Sequence, residues 1–96
     1  MPWYKLTASA KQDLREIGLY TKQTWGVAQA KKYLQSLYLA LKKLSGSPKV
    51  GSLREEIAPE IRSFRLGHHV AYYVEKKSGI IIVRILHPSM DTKRAL

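Results

Sequence analysis

Apolar residues recur at helical intervals through the first half of the chain and at alternate positions through its last third, so the pattern separates a helical part from a strand-forming part. Residues 3–7, Trp-Tyr-Lys-Leu-Thr, alternate weakly and are rich in aromatic and β-branched side chains, which predicts a short first strand. Ala10, Leu14, Ile17 and Thr21 then share one helical face, with Thr7 or Ser9 as the cap and Asp13 and Glu16 toward the positive end of the helix dipole. Trp25-Gly26 stops this helix. From Val27 a second seam runs through Ala30, Leu34, Leu37, Leu41 and Leu44, widened by Tyr33 and Tyr38. Helices joined by so short a turn lie antiparallel as a hairpin with facing apolar stripes.

Ser45-Gly46-Ser47-Pro48 and Gly51-Ser52 punctuate a loop that leads into the charged passage 53–60. The period then changes. Residues 61–66, 69–75 and 79–87 read as three strands joined by Gly67-His68 and by Lys77-Ser78-Gly79, both short enough for hairpins. The order β-αα-βββ predicts an α+β fold, a helical hairpin packed on one face of a small, mainly antiparallel sheet whose other face stays open.

Strand parity sorts the side chains of this sheet into two faces. If Gly67-His68 is a two-residue turn, Leu66 pairs with His69 and Arg62 lies opposite Tyr73; if Ser78-Gly79 closes the second hairpin, Tyr73 lies opposite Arg84. Under that register Ile61, Val70, Tyr72, Val74, Ile81, Val83 and Ile85 meet the helices, and Arg62, Tyr73 and Arg84 form a row on the open face. Two guanidiniums flanking a phenol make a forked anion site for phosphate or carboxylate. The alternative is that both arginines solubilise the face or pair with Glu75 and Glu60.

Composition narrows the chemistry. With 96 residues the chain is expected to be a single domain, residues 1–96, and its 45% hydrophobic content is that of a folding sequence. The absence of cysteine removes disulfides, thiolate metal sites and cysteine nucleophiles. No stretch reaches the apolar length of a membrane span and the N-terminus lacks a signal-peptide core, so a cytoplasmic protein without membrane partners is expected. A net charge of +10 favours anionic partners without saying which.

Catalytic signatures are sparse. The chain carries no G-x-S-x-G and no phosphate-binding glycine motif, which leaves serine hydrolase and nucleotide chemistry unsupported and implies no cofactor. His68, His69 and His87 lack metal-ligand spacing, so no metal is expected, and parity puts His87 on the side of Ile85, partly buried at the sheet end. The surviving scheme is metal-free RNA cleavage, with Arg62 and Arg84 as phosphate cations and His87, His69 or Tyr73 moving protons. DNA reading is weaker: no helix clusters basic residues for recognition, and Lys31-Lys32 and Lys42-Lys43 read as a solvated helix face.

Five passages together carry a family resemblance: DLREIGLYT at 13–21, WG at 25–26, RSF at 62–64, HHVAYY at 68–73 and VRILHPSMD at 83–91. In this order they resemble the ParE branch of the RelE/ParE toxin superfamily nearly end to end. The resemblance implies a type II toxin that inhibits DNA gyrase, blocks replication and stabilises plasmids, and is neutralised by a cognate ParD-like antitoxin. It implies a binding protein more than an enzyme. That antitoxin would be acidic and partly disordered, with a ribbon-helix-helix domain making the DNA contacts, so the toxin alone has no sequence-specific DNA binding.

The superfamily also holds ribosome-dependent messenger RNA endonucleases, to which Arg62, Tyr73, Arg84 and His87 would supply a catalytic set. No tyrosine follows Arg84, and the tail 88–96 is poor in proton-transfer groups, which favours the non-nuclease branch. The expected target-binding residues are Arg62, Arg84, His87, Met90 and Asp91, and the expected antitoxin-binding residues Leu19, Tyr20, Tyr38 and Leu39, apolar positions off the main seams.

Overall fold

Thr7 turns the chain from strand into helix. In the computed structural model, which describes residues 2–90 and 92–96 apart from the side chain of Lys93, the Thr7 hydroxyl accepts the Ala10 N–H at 3.1 Å and donates to the Val83 carbonyl at 2.7 Å. One side chain thus caps the first helix and ties its start to the sheet. The elements are β1 (Trp3–Leu6), α1 (Ala8–Trp25), α2 (Val27–Ser45), a 3₁₀ turn (Pro48–Val50), β2 (Ser52–Leu53), β3 (Ile61–Leu66), β4 (His69–Lys76), β5 (Gly79–Leu86) and α3 (Thr92–Ala95). Gly26, at φ 94°, is the whole connection between the two long helices, and its N–H closes on the Lys22 carbonyl at 2.9 Å.

The five strands form one sheet in the order β1-β5-β4-β3-β2, antiparallel except for β1, which runs parallel to β5. The two-residue β2 was not legible in the passage read as loop and charged linker. The expected stripes meet the sheet: Ala10, Leu14 and Ile17 of α1 and Leu37, Leu41 and Leu44 of α2 are buried in the main core. Tyr33 joins its edge, whereas Tyr38 is exposed and does not widen the seam. No described helix is long and apolar enough to cross a membrane.

The sheet faces are the reverse of the expected ones. Ala71, Tyr73, Ile80, Ile82 and Ile85 meet the helices, and of these only Ile85 was assigned there. Ile61, Tyr72 and Leu86 form a second, smaller core on the opposite face with Val70 and Val74, covered by Ile57, Ala58, Ala95 and Leu96, so that face is not simply open. Both faces of β4 and β5 are apolar because both are covered, and hydrophobicity alone therefore does not choose between them.

The register explains the rest. The first hairpin is as expected, with Leu66 opposite His69 and Arg62 opposite Tyr73. In the second, Lys76 pairs with Gly79, so the turn residues are Lys77 and Ser78, with Ser78 at φ 63°. Gly79 belongs to the strand because the Trp3 indole lies against it and leaves no room for a Cβ. That turn already sets Tyr73 opposite Ile82, and a register shift between Tyr72 and Tyr73 then puts Tyr72 opposite Arg84. The expected row is broken at its last member.

Candidate functional site

Each member of that row is tied into the scaffold. Arg62 Nη1 donates to the carbonyls of Gly51 at 2.7 Å and Lys49 at 3.2 Å. Tyr73 is fully buried; its hydroxyl donates to the Pro48 carbonyl at 2.6 Å and accepts the Gly51 N–H at 3.0 Å. Burial first, opposed by that N–H and by Arg62, holds its phenol above the ordinary value. Arg62 and Tyr73 together fasten the 3₁₀ turn to the sheet.

Arg84 serves a different joint. Its Nε and Nη2 meet the two carboxylate oxygens of Asp13 at 2.7 and 2.8 Å, and Nη1 donates to the Ala95 carbonyl at 2.7 Å. Asp13 Oδ2 also accepts the Ile85 N–H at 2.9 Å. Asp13 is therefore a buried counter-ion joining α1 to β5 rather than a dipole-facing surface charge. The hydrogen bond to Asp13 raises the Arg84 pKa above its ordinary value. These contacts leave no convergent pair of guanidiniums about a phenol.

A groove of about 920 Å³ opens instead between α1, the start of α2 and the end of β5. One wall carries Glu16, Ile17, Tyr20 and Trp25, the last two strongly exposed at 66% and 71%. The other carries Tyr33, His68, His69, His87 and Met90. Tyr33 organises that wall. Its hydroxyl accepts the His68 N–H at 3.0 Å and lies 2.6 Å from His69 Nδ1, and its ring centroid is 6.0 Å from His68 and 5.7 Å from His69. The Tyr33 hydroxyl and His69 Nδ1 share one proton, whose side is set by the tautomer of the imidazole.

His87 completes the cluster, edge-on to His69 with ring centroids 5.8 Å apart. It is exposed, not part-buried as parity implied, because β5 ends at Leu86 and His87 starts a turn in which Ser89 N–H donates to its Nδ1 at 3.2 Å. Burial first, then the neighbouring His87, His68 and Arg65, keep the His69 pKa below its ordinary value, with Asp13 opposing them. Among the described residues no three His, Cys, Asp or Glu side chains are placed to hold a metal ion.

The groove brings together Tyr20, His87 and Met90 from the expected site residues, and leaves Arg62, Tyr73 and Arg84 out. Leu19, Tyr38 and Leu39 are exposed on the hairpin outside it, and Asp91 lies outside the described residues. The sequence does not point to Trp25 and Tyr33, because a helix stop and a helical seam each account for them locally; the one available signal is the adjacent His68-His69 pair.

The chain matches the family model described as ParE toxin of type II toxin-antitoxin system, parDE, over residues 4–92. It is 37% identical over 94 residues to Toxin ParE1 of Mycobacterium tuberculosis, covering 97% of this chain and 96% of that protein. Toxin ParE of Escherichia coli is 34% identical over 92 residues, covering 95% of this chain and 89% of its own length. Among solved structures, a chain of the chromosomal ParDE TA system from P. aeruginosa superposes with a TM-score of 0.77 at 27% identity, covering 91% of this chain and 96% of its own.

Proposed function

Because the chain belongs to the ParE toxin family of type II toxin–antitoxin systems, we propose that it acts by binding DNA gyrase and that a cognate ParD-like antitoxin neutralises it. The observation that carries this reading over RNA cleavage is the engagement of Arg62, Tyr73 and Arg84 by carbonyls, a backbone N–H and Asp13. Guanidiniums fixed in this way are spent on structure, and a phenol without solvent access is a poor proton carrier. The accessible surface lies in the groove, where exposed apolar side chains without a lysine or arginine among the lining residues suit a macromolecular contact more than phosphorane stabilisation.

The groove also supports a mode of neutralisation. Tyr20, assigned to antitoxin binding, shares it with His87 and Met90, assigned to the target, so an antitoxin segment seated there covers the surface offered to gyrase. Both partners act inside the cell, which makes the cytoplasm the site of action. In this reading joint alanine replacement of Leu19, Tyr20, Tyr38 and Leu39 weakens antitoxin binding, and unchanged affinity would remove that contact surface.

The test is supercoiling of relaxed plasmid by purified gyrase with the isolated toxin added. Lost supercoiling with accumulation of linear DNA, reversed by antitoxin, is the expected result. Full supercoiling at a large excess of folded toxin would overturn it and turn attention to ribosome-dependent RNA cleavage, with His87 replacement as the next experiment.

A further inference from the structure

Neither long helix alone gathers much positive charge, but the hairpin sets their cations side by side. Residues 8–45 carry seven lysines and arginines against two acids, Asp13 and Glu16. Both acids lie with Tyr20 on the flank of α1 that walls the groove, and Asp13 is already engaged by Arg84. Lys11, Arg15, Gly18 and Lys22, at intervals of four, three and four, occupy the opposite flank. The ion pairs of the described residues are Lys49–Glu75, Arg54–Glu56 and Arg84–Asp13, and none of them includes a hairpin cation outside the groove.

Gly18 shows where that flank faces. A Cβ there would meet Leu34 Cδ1 of α2 at 3.1 Å, so the strip borders the seam between the two helices. On α2, Lys31, Gln35, Tyr38 and Lys42 repeat at the same intervals beside Leu34 and form the other border. All four are exposed, as are Lys11, Arg15 and Lys22. Arg15 Nε and Nη2 donate to Gln12 Oε1 at 3.1 and 2.7 Å, which orients the guanidinium without neutralising it. Lys, Arg, Gln and Tyr are the side chains that hydrogen-bond phosphate oxygens. The α1 strip is about 16 Å long, the rise of about five successive phosphates along one strand of a duplex.

We propose that the outer seam of the helical hairpin binds the phosphate backbone of duplex DNA without regard to sequence. Lysines on the sides of two packed helices follow a run of phosphates and reach no base edges, so affinity comes from counterion release. The seam lies on the flank of α1 away from the groove, which leaves the groove free for a protein partner while DNA is bound. The inference goes beyond the gyrase reading and does not depend on it.

The experiment is fluorescence anisotropy of a labelled random-sequence DNA duplex titrated with the isolated full chain over a series of salt concentrations, without gyrase or antitoxin. Contacts from Lys11, Arg15, Lys22, Lys31 and Lys42 give an expected log–log salt slope of about −4.5, a several-hundred-fold loss of affinity from roughly 50 to 200 mM salt. The triple variant Lys11→Gln, Lys31→Gln, Lys42→Gln should have a slope shallower by about 3. Lys5→Gln, Lys76→Gln, Lys77→Gln removes the same charge from exposed positions off the hairpin and should keep the parental slope. All six lysines are exposed, and circular dichroism checks that both triples fold. Equal losses in the two triples would reduce the attraction to net charge and overturn the site. Absence of binding by the parent at the lowest salt, or tighter binding to an RNA duplex of the same sequence, would overturn the assignment to DNA.

Discussion

Arg84 and Asp13, 71 residues apart in sequence, meet through two parallel hydrogen bonds of 2.7 and 2.8 Å. The bidentate pair locks α1 to β5, and through the Ala95 carbonyl it holds the C-terminal helix as well. Asp13 is only 5% exposed, so truncating it strands a guanidinium and the Ile85 N–H together. Asp13→Ala is expected to cost about 3 kcal/mol. Asp13→Asn should cost less, because its amide oxygen still accepts one donor; urea unfolding of the two variants measures the difference.

Tyr73 provides a separate test of structural against catalytic use. Tyr73→Phe removes the hydroxyl that bridges the part-buried Pro48 carbonyl and the buried Gly51 N–H. The expected loss is about 1–3 kcal/mol of stability, from groups left without partners. In the proposed gyrase-binding reading, inhibition by the folded variant should match the parent when assayed well below its melting temperature. A variant of parental stability that has lost toxicity would restore Tyr73 to the functional set.

The helices and the first hairpin were legible because local rules decide them: Thr7 caps, Gly26 breaks, the seams repeat, and Gly67 at φ 58° sets a two-residue turn. The sheet faces were not, since Tyr72 and Tyr73 are equally apolar neighbours and each ends in a different core. The groove was hidden for another reason. Tyr33, the His68-His69 pair and His87 come from three separate elements, and each has an adequate local explanation until the fold places their rings about 6 Å apart.

Gly79 misled the register because a turn and a close approach both call for glycine. Its neighbour is Trp3 of the parallel strand, whose indole and carbonyl occupy the space a methyl group would need. Gly79→Ala is therefore expected to destabilise by about 1–3 kcal/mol through overpacking. Trp3→Ala in the same background should recover part of that loss, and a thermal double-mutant cycle reads the coupling.

His69 gives the free toxin its own pH signature. Its folded pKa lies below the ordinary value of 6.5, chiefly through burial, so between those two pKa values the unfolded chain binds more protons than the folded one. Stability from this group is complete above pH 6.5 and declines as the pH falls through that value toward the folded pKa. The urea midpoint of the parent should drop between pH 7.5 and 5.5, and the His69→Gln drop should be smaller by the His69 contribution. Proton NMR of the imidazole rings checks the cause: His69 should titrate below 6.5 in the free chain, and a His69 resonance titrating above it would overturn the burial argument.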